Sequence, residues 1–401
     1  MKKIYYFLIL AFFSNEVFAQ TFASPVMLKN FTGEKSQEIF EQNSLNSKTN
    51  LTNNLVYDVI FNDQYQSTNS QDEFNNTASK GRLYSNLNFA KNFALNSFLK
   101  IETSNKLAQN NIKNRAFQNE SLFFEELNFS YNSKKFAAIL GKFDLNFGSA
   151  WIFNRGIWAG ELAQNYQQKE NLGVGGVYRA GNNKTTGGYN FSLTSFTNDR
   201  KNLDNSIISS RNSDSKSYGK AGDTRNLGQS YNAAVDINFD FSEQEKLTYH
   251  FSYLNLAANK RAGLLDLSKI SDQKSWAAGL NYKYPLEQNF ALDALLEYVS
   301  SKNVGGNSDA KENYFTSNVI GKFYQNWNLT LAYAKRDFSQ ISATGFEQNL
   351  AEISAGYEFE KNIFFDKLLI QAGYKNQRDD YKTSLKTRNV LGILLRYQKS
   401  F

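Results

Sequence analysis

From about residue 55 to its end the chain repeats one pattern: some ten residues of alternating apolar and polar side chains, then a polar connection. Successive side chains of a strand point to opposite faces, so this period separates an oily face from a wet one. Residues 231–241 show it most plainly. Tyr231, Ala233, Val235, Ile237, Phe239 and Phe241 fall on one side, and Asn232, Ala234, Asp236, Asn238 and Asp240 on the other. A slip of one residue would turn both aspartates to the oily side, so the pattern fixes the register. Trp276 to Tyr284, Ala351 to Phe359, Leu247 to Tyr253 and Leu329 to Tyr333 repeat the design. Trp276 and Tyr284 lie about 27 Å apart along a strand. Tilted by about 40°, that span projects to roughly 20 Å, near the height of a membrane's apolar band.

Alternation alone also suits a soluble sandwich, so the connections decide. Short ones fall near 91–93, 132–135, 181–184, 242–246, 285–289, 324–327 and 360–366. Long ones fall near 63–81, 105–119, 146–169, 198–228, 258–273, 301–311, 337–348 and 376–387. Strict alternation of tight turns and longer loops is the habit of transmembrane barrels. The expected fold is all-β: a transmembrane antiparallel up-and-down β-barrel of about sixteen strands, with fourteen or eighteen as alternatives. Both termini then lie on the periplasmic side.

Met1 to Ala19 reads as a signal peptide, with Lys2 and Lys3 before the apolar run Ile4–Phe13 and cleavage expected after Ala19. Residues 20–54 are expected as a periplasmic or lumen segment and residues 55–401 as the barrel. After residue 20 no run approaches the roughly 18 apolar residues of a membrane-spanning helix. The chain has no cysteine, which excludes disulfides and thiolate metal sites. Its net charge of +7 is carried by scattered lysines and arginines without a basic stripe, a composition unlike nucleic-acid binders. The sole histidine, His250, sits on the wet face between Thr248 and Ser252, with no nucleophile-elbow motif in the chain. It is read as structural and the chain as a non-enzyme without cofactor or metal.

The charges of the wet face are the candidate selectivity residues, since opposed charges across a lumen orient polar solutes and set ion preference. These are Lys142, Arg179, Asp236, Asp240, Lys283, Glu297, Lys322, Arg336, Glu352 and Arg396, with Asp293 and Asn171 beside them. Lys142 is inward if Ile139, Gly141 and Phe143 face lipid. Arg155 and Glu161 belong to loop 146–169, the candidate constriction, which also carries Trp151 and Trp158. Glu125 does not fit: it shares a face with Phe123, Leu127, Phe129 and Tyr131, where a carboxylate is costly unless it meets another subunit or the register differs.

The last strand, Val390 to Phe401, places Leu391, Ile393, Leu395, Tyr397 and Phe401 on one face. It resembles the closing strand of outer-membrane barrels, in which Tyr397 and Phe401 would be the assembly signal read by the insertion machinery. Residues 55–401 resemble the Gram-negative outer-membrane porins. Leu140-Gly141-Lys142-Phe143-Asp144-Leu145-Asn146-Phe147-Gly148, followed by Glu170-Asn171-Leu172-Gly173-Val174-Gly175-Gly176-Val177-Tyr178, is similar to the siderophore-porin family. The family's N-terminal coiled-coil segment is not evident here. The resemblance implies outer-membrane localisation, contact with lipid and lipopolysaccharide, assembly as a homotrimer, and passive diffusion of small hydrophilic solutes or ions. Siderophore uptake and a non-transporting adhesin are the alternatives.

Overall fold

The computed structural model describes residues 49–68, 73–103, 115–116, 120–198, 227–258, 270–287, 289–324, 326–341, 343–381 and 384–401. The expected signal peptide, nearly all of segment 20–54 and most of loop 198–228 lie outside them. Sixteen strands build the wall: β1 Asn50–Ser67, β2 Phe74–Ala90, β3 Phe93–Thr103, β4 Glu120–Asn132, β5 Phe136–Phe143, β6 Asn171–Asn182, β7 Gly187–Asn198 and β8 Ser230–Asp240. They continue as β9 Lys246–Leu256, β10 Gln273–Glu287, β11 Phe290–Lys302, β12 Ala310–Phe323, β13 Trp327–Gln340, β14 Ala343–Phe359, β15 Lys367–Asp380 and β16 Leu385–Ser400. Each pairs antiparallel with its sequence neighbours, and β1 pairs with both β2 and β16, so the sheet is closed. A two-residue strand, Arg115–Ala116, adds a parallel contact to Asn76 and Thr77 of β2.

The oily set faces out. Leu140, Leu193, Leu331, Ile353, Leu391 and Ile393 are all at least 47% exposed, while Asn232, Asn238, Thr330, Glu352, Ser354 and Gln371 are buried on the inner face. Several strands outrun the sequence reading. β1 begins at Asn50, and β13 and β14 meet across 341–342 where a loop over 337–348 was expected. Phe338 stacks on Phe346 at 5.1 Å, and Lys335 reaches Glu347 at 3.1 Å across this extension. Beyond the hydrocarbon both faces of a strand meet water, so its alternation fades and it resembles a loop in sequence.

Two strands correct the sequence reading. In β4, Phe98 pairs with Glu126 and Leu99 with Phe124, which leaves Glu125 as the extra residue of a bulge. The bulge turns both Glu125 and Glu126 inward, and Glu125 accepts from Lys100 Nζ at 2.6 Å, so no subunit contact is needed to shelter it. In β5, Phe136 and Leu140 face out, and Ile139 and Phe143 are buried inside, the reverse of the expected facing. By register Lys142 stands opposite Leu127 and Leu172, next to Gly141 at φ +132°. It is wholly buried, with Nζ 3.0 Å from Glu170 Oε2.

Closure is sealed by charge. Asp58 of β1 accepts from Arg396 of β16 at 2.5 and 2.9 Å, and from Arg82 of β2. Phe401 exchanges backbone hydrogen bonds of 2.9 and 3.0 Å with Asn53, and its ring stays exposed. The Tyr397 hydroxyl donates to the Phe364 carbonyl at 2.6 Å. Removing the shared carboxylate leaves two guanidinium groups in one buried spot. Asp58→Asn should therefore cost about 3–5 kcal/mol, read as a lower urea midpoint of the refolded barrel; an unchanged midpoint would contradict the seam's role.

Candidate functional site

Between β5 and β6 the chain leaves the wall and crosses the lumen. The root of this inner loop, residues 144–170, is tied by Asp144, whose carboxylate oxygens accept from the Glu170 N–H and from Gln167 Nε2, both at 2.9 Å. The loop carries apolar side chains inward. Leu145, Phe147, Ala150 and Tyr166 pack with Ile139, Phe196, Leu254, Leu295, Val299 and Tyr314 of the wall. Farther on, Trp158 and Leu162 pack with Ala334, Leu350 and Val390. Trp158 fits because residue 392 is glycine; a Cβ there would overlap the indole.

Two wall carboxylates hold the loop by its backbone. Glu297 of β11 accepts from the Ser149 N–H, from Ser149 Oγ at 2.6 Å, from the Ala150 N–H at 3.0 Å and from the Tyr166 hydroxyl. It thereby satisfies the first turn of the short helix α1, Ala150–Phe153. Glu352 of β14 accepts from the Ile157 and Trp158 N–H groups at 2.6 and 2.8 Å. Gly156, at φ +113°, makes this approach; any Cβ there would collide with that carboxylate. Asn318 of β12 bonds the Arg155 backbone on both sides, at 3.3 and 3.0 Å. Hydrogen bonds to charged groups contribute about 1.5–3 kcal/mol each, so Glu297 and Glu352 dominate the loop's position.

The other sequence candidates occupy distinct levels. Arg155 donates to the carbonyls of Ile152, Phe153 and Asn154 at 2.8–3.2 Å and closes the end of α1. Glu161 is paired with Lys375 Nζ at 2.9 Å, and that ammonium lies 5.3 Å from the Trp158 ring. At the rim of short turns, Arg179 donates to the Ser133 carbonyl and Asn132 Oδ1, and Asp240 accepts from Asn183. Near the opposite rim Arg336 donates to Glu312 and Gln348 and lies 4.7 Å from the Phe346 ring. Lys283, Lys322 and Arg396 stand on the inner face between the loop and the short turns, with Asp293 among them. Asn171 is fully buried.

His250 does meet an acid and a hydroxyl, which the sequence did not foretell. Its Nδ1 is 2.7 Å from Asp236 Oδ1 and its Nε2 3.0 Å from Ser252 Oγ. Both partners also hold the loop: Asp236 accepts from Asn146 at 2.9 Å, and Ser252 Oγ accepts from the Gly148 N–H at 3.2 Å. All three are at most 7% exposed. The chain of bonds anchors the loop, and its serine is engaged by that backbone. A signal for this wall was present in sequence: Leu254, Leu256, Leu295 and Val299 are apolar residues on an otherwise wet face, which requires something apolar opposite them.

Glu297→Ala should loosen the inner loop, so trypsin should cut after Arg155 about tenfold faster, as loss of charged hydrogen bonds implies; an unaltered digestion rate would refute the anchor. Asp144, just beyond β5, is buried, and burial together with the nearby Glu125 carboxylate pushes its carboxyl up to about 8. The folded chain keeps this proton where the unfolded chain has lost it, above about pH 4. Stability therefore falls as pH rises from about 4 to 8 and levels off beyond. Asp144→Asn should remove that slope from urea midpoints measured at pH 5, 7 and 9; equal slopes in both proteins would exclude the group.

No protein-family model and no curated protein matches this chain. Solved structures do. The outer membrane channel DcaP of Acinetobacter baumannii superposes with a TM-score of 0.53 at 13% identity, covering 88% of this chain and 97% of that one. OmpT, an outer-membrane protein of Vibrio cholerae, gives 0.49 at 10% identity over 88% and 97%. The anion-selective porin from Comamonas acidovorans gives 0.48 at 12% identity over 88% and 100%. The likeness is one of fold: the chain is a closed transmembrane barrel with the architecture of the outer-membrane porins.

Proposed function

We propose that the protein is an outer-membrane channel through which small hydrophilic solutes and ions diffuse passively, the inner loop setting its width. The observation that carries the reading is the loop itself, folded into a polar barrel and held there by Glu297 and Glu352. Sixteen strands enclose more space than their own side chains fill. A loop lying across that space narrows it while the wall stays rigid. The short-turn rim, where β1 and β16 end, faces the periplasm in this reading, and the exposed leucines outside meet lipid and, in the outer leaflet, lipopolysaccharide. Phe401 and Tyr397 serve recognition by the assembly machinery before insertion, and three copies associate side by side. A ligand-specific channel, such as one for a siderophore, is the second reading, favoured by the apolar packing of Phe147, Tyr166 and Tyr314 at the loop.

Purified protein reconstituted in planar bilayers tests this. Diffusion predicts ohmic steps that do not saturate with salt. Freeing the loop by Glu297→Ala with Glu352→Ala should raise the unit conductance about twofold, as a wider constriction requires. Saturating currents would favour the ligand-specific channel, and silence from a correctly folded barrel would overturn both.

A further inference from the structure

On the long-loop side of the inner loop, two rows of side chains cross the inner face of β12 to β16. The upper row is aromatic. Phe338 of β13 pairs with Phe346 of β14, their rings 5.1 Å apart, and the Tyr381 ring lies 5.8 Å from Phe346. The two phenylalanines are half-buried and Tyr381 is exposed, so part of each ring meets the mouth of the barrel.

The lower row, two residues nearer the loop along each strand, is polar. Arg336 pairs with Gln348, and Gln348 with Asp379. Glu312 accepts from Arg336 at 2.7 Å, and Gln348 accepts from Arg336 at 2.9 Å while donating to Asp379 at 3.1 Å. Gln377 and Arg388 donate to Asp379 as well. Each carboxylate of the row is matched by a guanidinium group, and Lys386 stands opposite Asp379. The row therefore presents donors and acceptors together. The Arg336 and Arg388 side chains are 23% and 31% exposed, within reach of a solute. Two residues span about 7 Å along a strand, so the apolar and polar rows lie side by side within the width of one small molecule. Below them, Ala334 and Leu350 pack with Trp158 of the loop, which places any occupant directly over the constriction.

A simple ion would use only the polar row, and an alkyl or aryl compound only the rings. A sugar uses both: the C–H face of a pyranose is apolar and lies on aromatic surface, and each of its hydroxyls donates and accepts. Resting on the channel reading, we propose that the two rows form a binding site for neutral saccharides in the long-loop mouth. The sugar ring rests on Phe338, Phe346 and Tyr381, and its hydroxyls bond Arg336, Gln348 and Asp379.

The test uses the full barrel in planar bilayers, with maltotriose as the probe. The sugar should reduce the ion current, and the block should saturate. Phe346→Ala should raise the half-blocking concentration about tenfold, as loss of a ring contact implies, while Phe346→Tyr should keep it. Gln348→Leu should raise it about fivefold, as loss of hydrogen bonds implies. Benzyl alcohol and succinate, which match one row each, should not block at the same concentration. No block by maltotriose, block by either comparison compound in its place, or variants indistinguishable from wild type would overturn the site while leaving the channel intact. Should the barrel pass no current, the channel reading fails, and calorimetric titration of the folded protein with maltotriose decides the site by itself: heat lost in Phe346→Ala supports it, and no heat in wild type ends it.

Discussion

Everything in this molecule depends on satisfying the backbone without water. In hydrocarbon each unpaired N–H or C=O costs several kcal/mol, so a sheet can cross only if its first and last strands meet. Here β1 and β16 meet over nearly their whole length, from Asn54 opposite Ser400 to Ser67 opposite Arg388. The inner face of the seam carries Asp58 between two arginines. Closure creates the enclosed wet face, and the wet face permits everything else: a polar wall can offer carboxylates to a loop, whereas an oily one cannot.

The inner loop turns that permission into architecture. A loop inside a barrel brings its own unpaired N–H groups, and Glu297 and Glu352 accept five of its donors between them, counting only backbone N–H and the Ser149 hydroxyl. Polar anchoring alone would leave the lumen full of water. The apolar packing of Phe147, Tyr166 and Trp158 against Leu254, Val299 and Leu350 adds contacts that need no donors, so the loop is fixed by both kinds of interaction at different points. The consequence is a division of labour among the lumen charges. Asp236, Glu297 and Glu352 are occupied by the loop, Arg155 by its own helix end, and Glu161 by Lys375, whereas Lys322 faces the passage.

How much was legible follows from where parity holds. In the middle of β8, β10 and β14, over residues 231–240, 276–284 and 351–359, the alternation is unbroken and the inner and outer residues were assigned from sequence. In β4 a single extra residue reverses the parity, and nothing in Phe124-Glu125-Glu126 announces whether the bulge falls before or after it. In β5 the expected facing of Ile139 and Phe143 failed because both are apolar on the wet side, where they meet the loop rather than lipid. Lys142 is enclosed, though not through the facing the sequence offered for its neighbours: its burial depends on Glu170, twenty-eight residues away. Glu125 looked like an error in the pattern and is the residue that the bulge turns inside.

What the sequence determined by itself is the barrel: about sixteen strands, the facing of most side chains, and the short turns along one rim. These follow from local rules, since a strand's two faces are written in every second residue and a turn in its own few residues. What the tertiary structure alone decided is the fate of the charges. Whether a lumen carboxylate is hydrated or is hydrogen-bonded to a backbone N–H depends on a loop that arrives from across the barrel, and that contact is set by three-dimensional distance, which no period along the chain encodes.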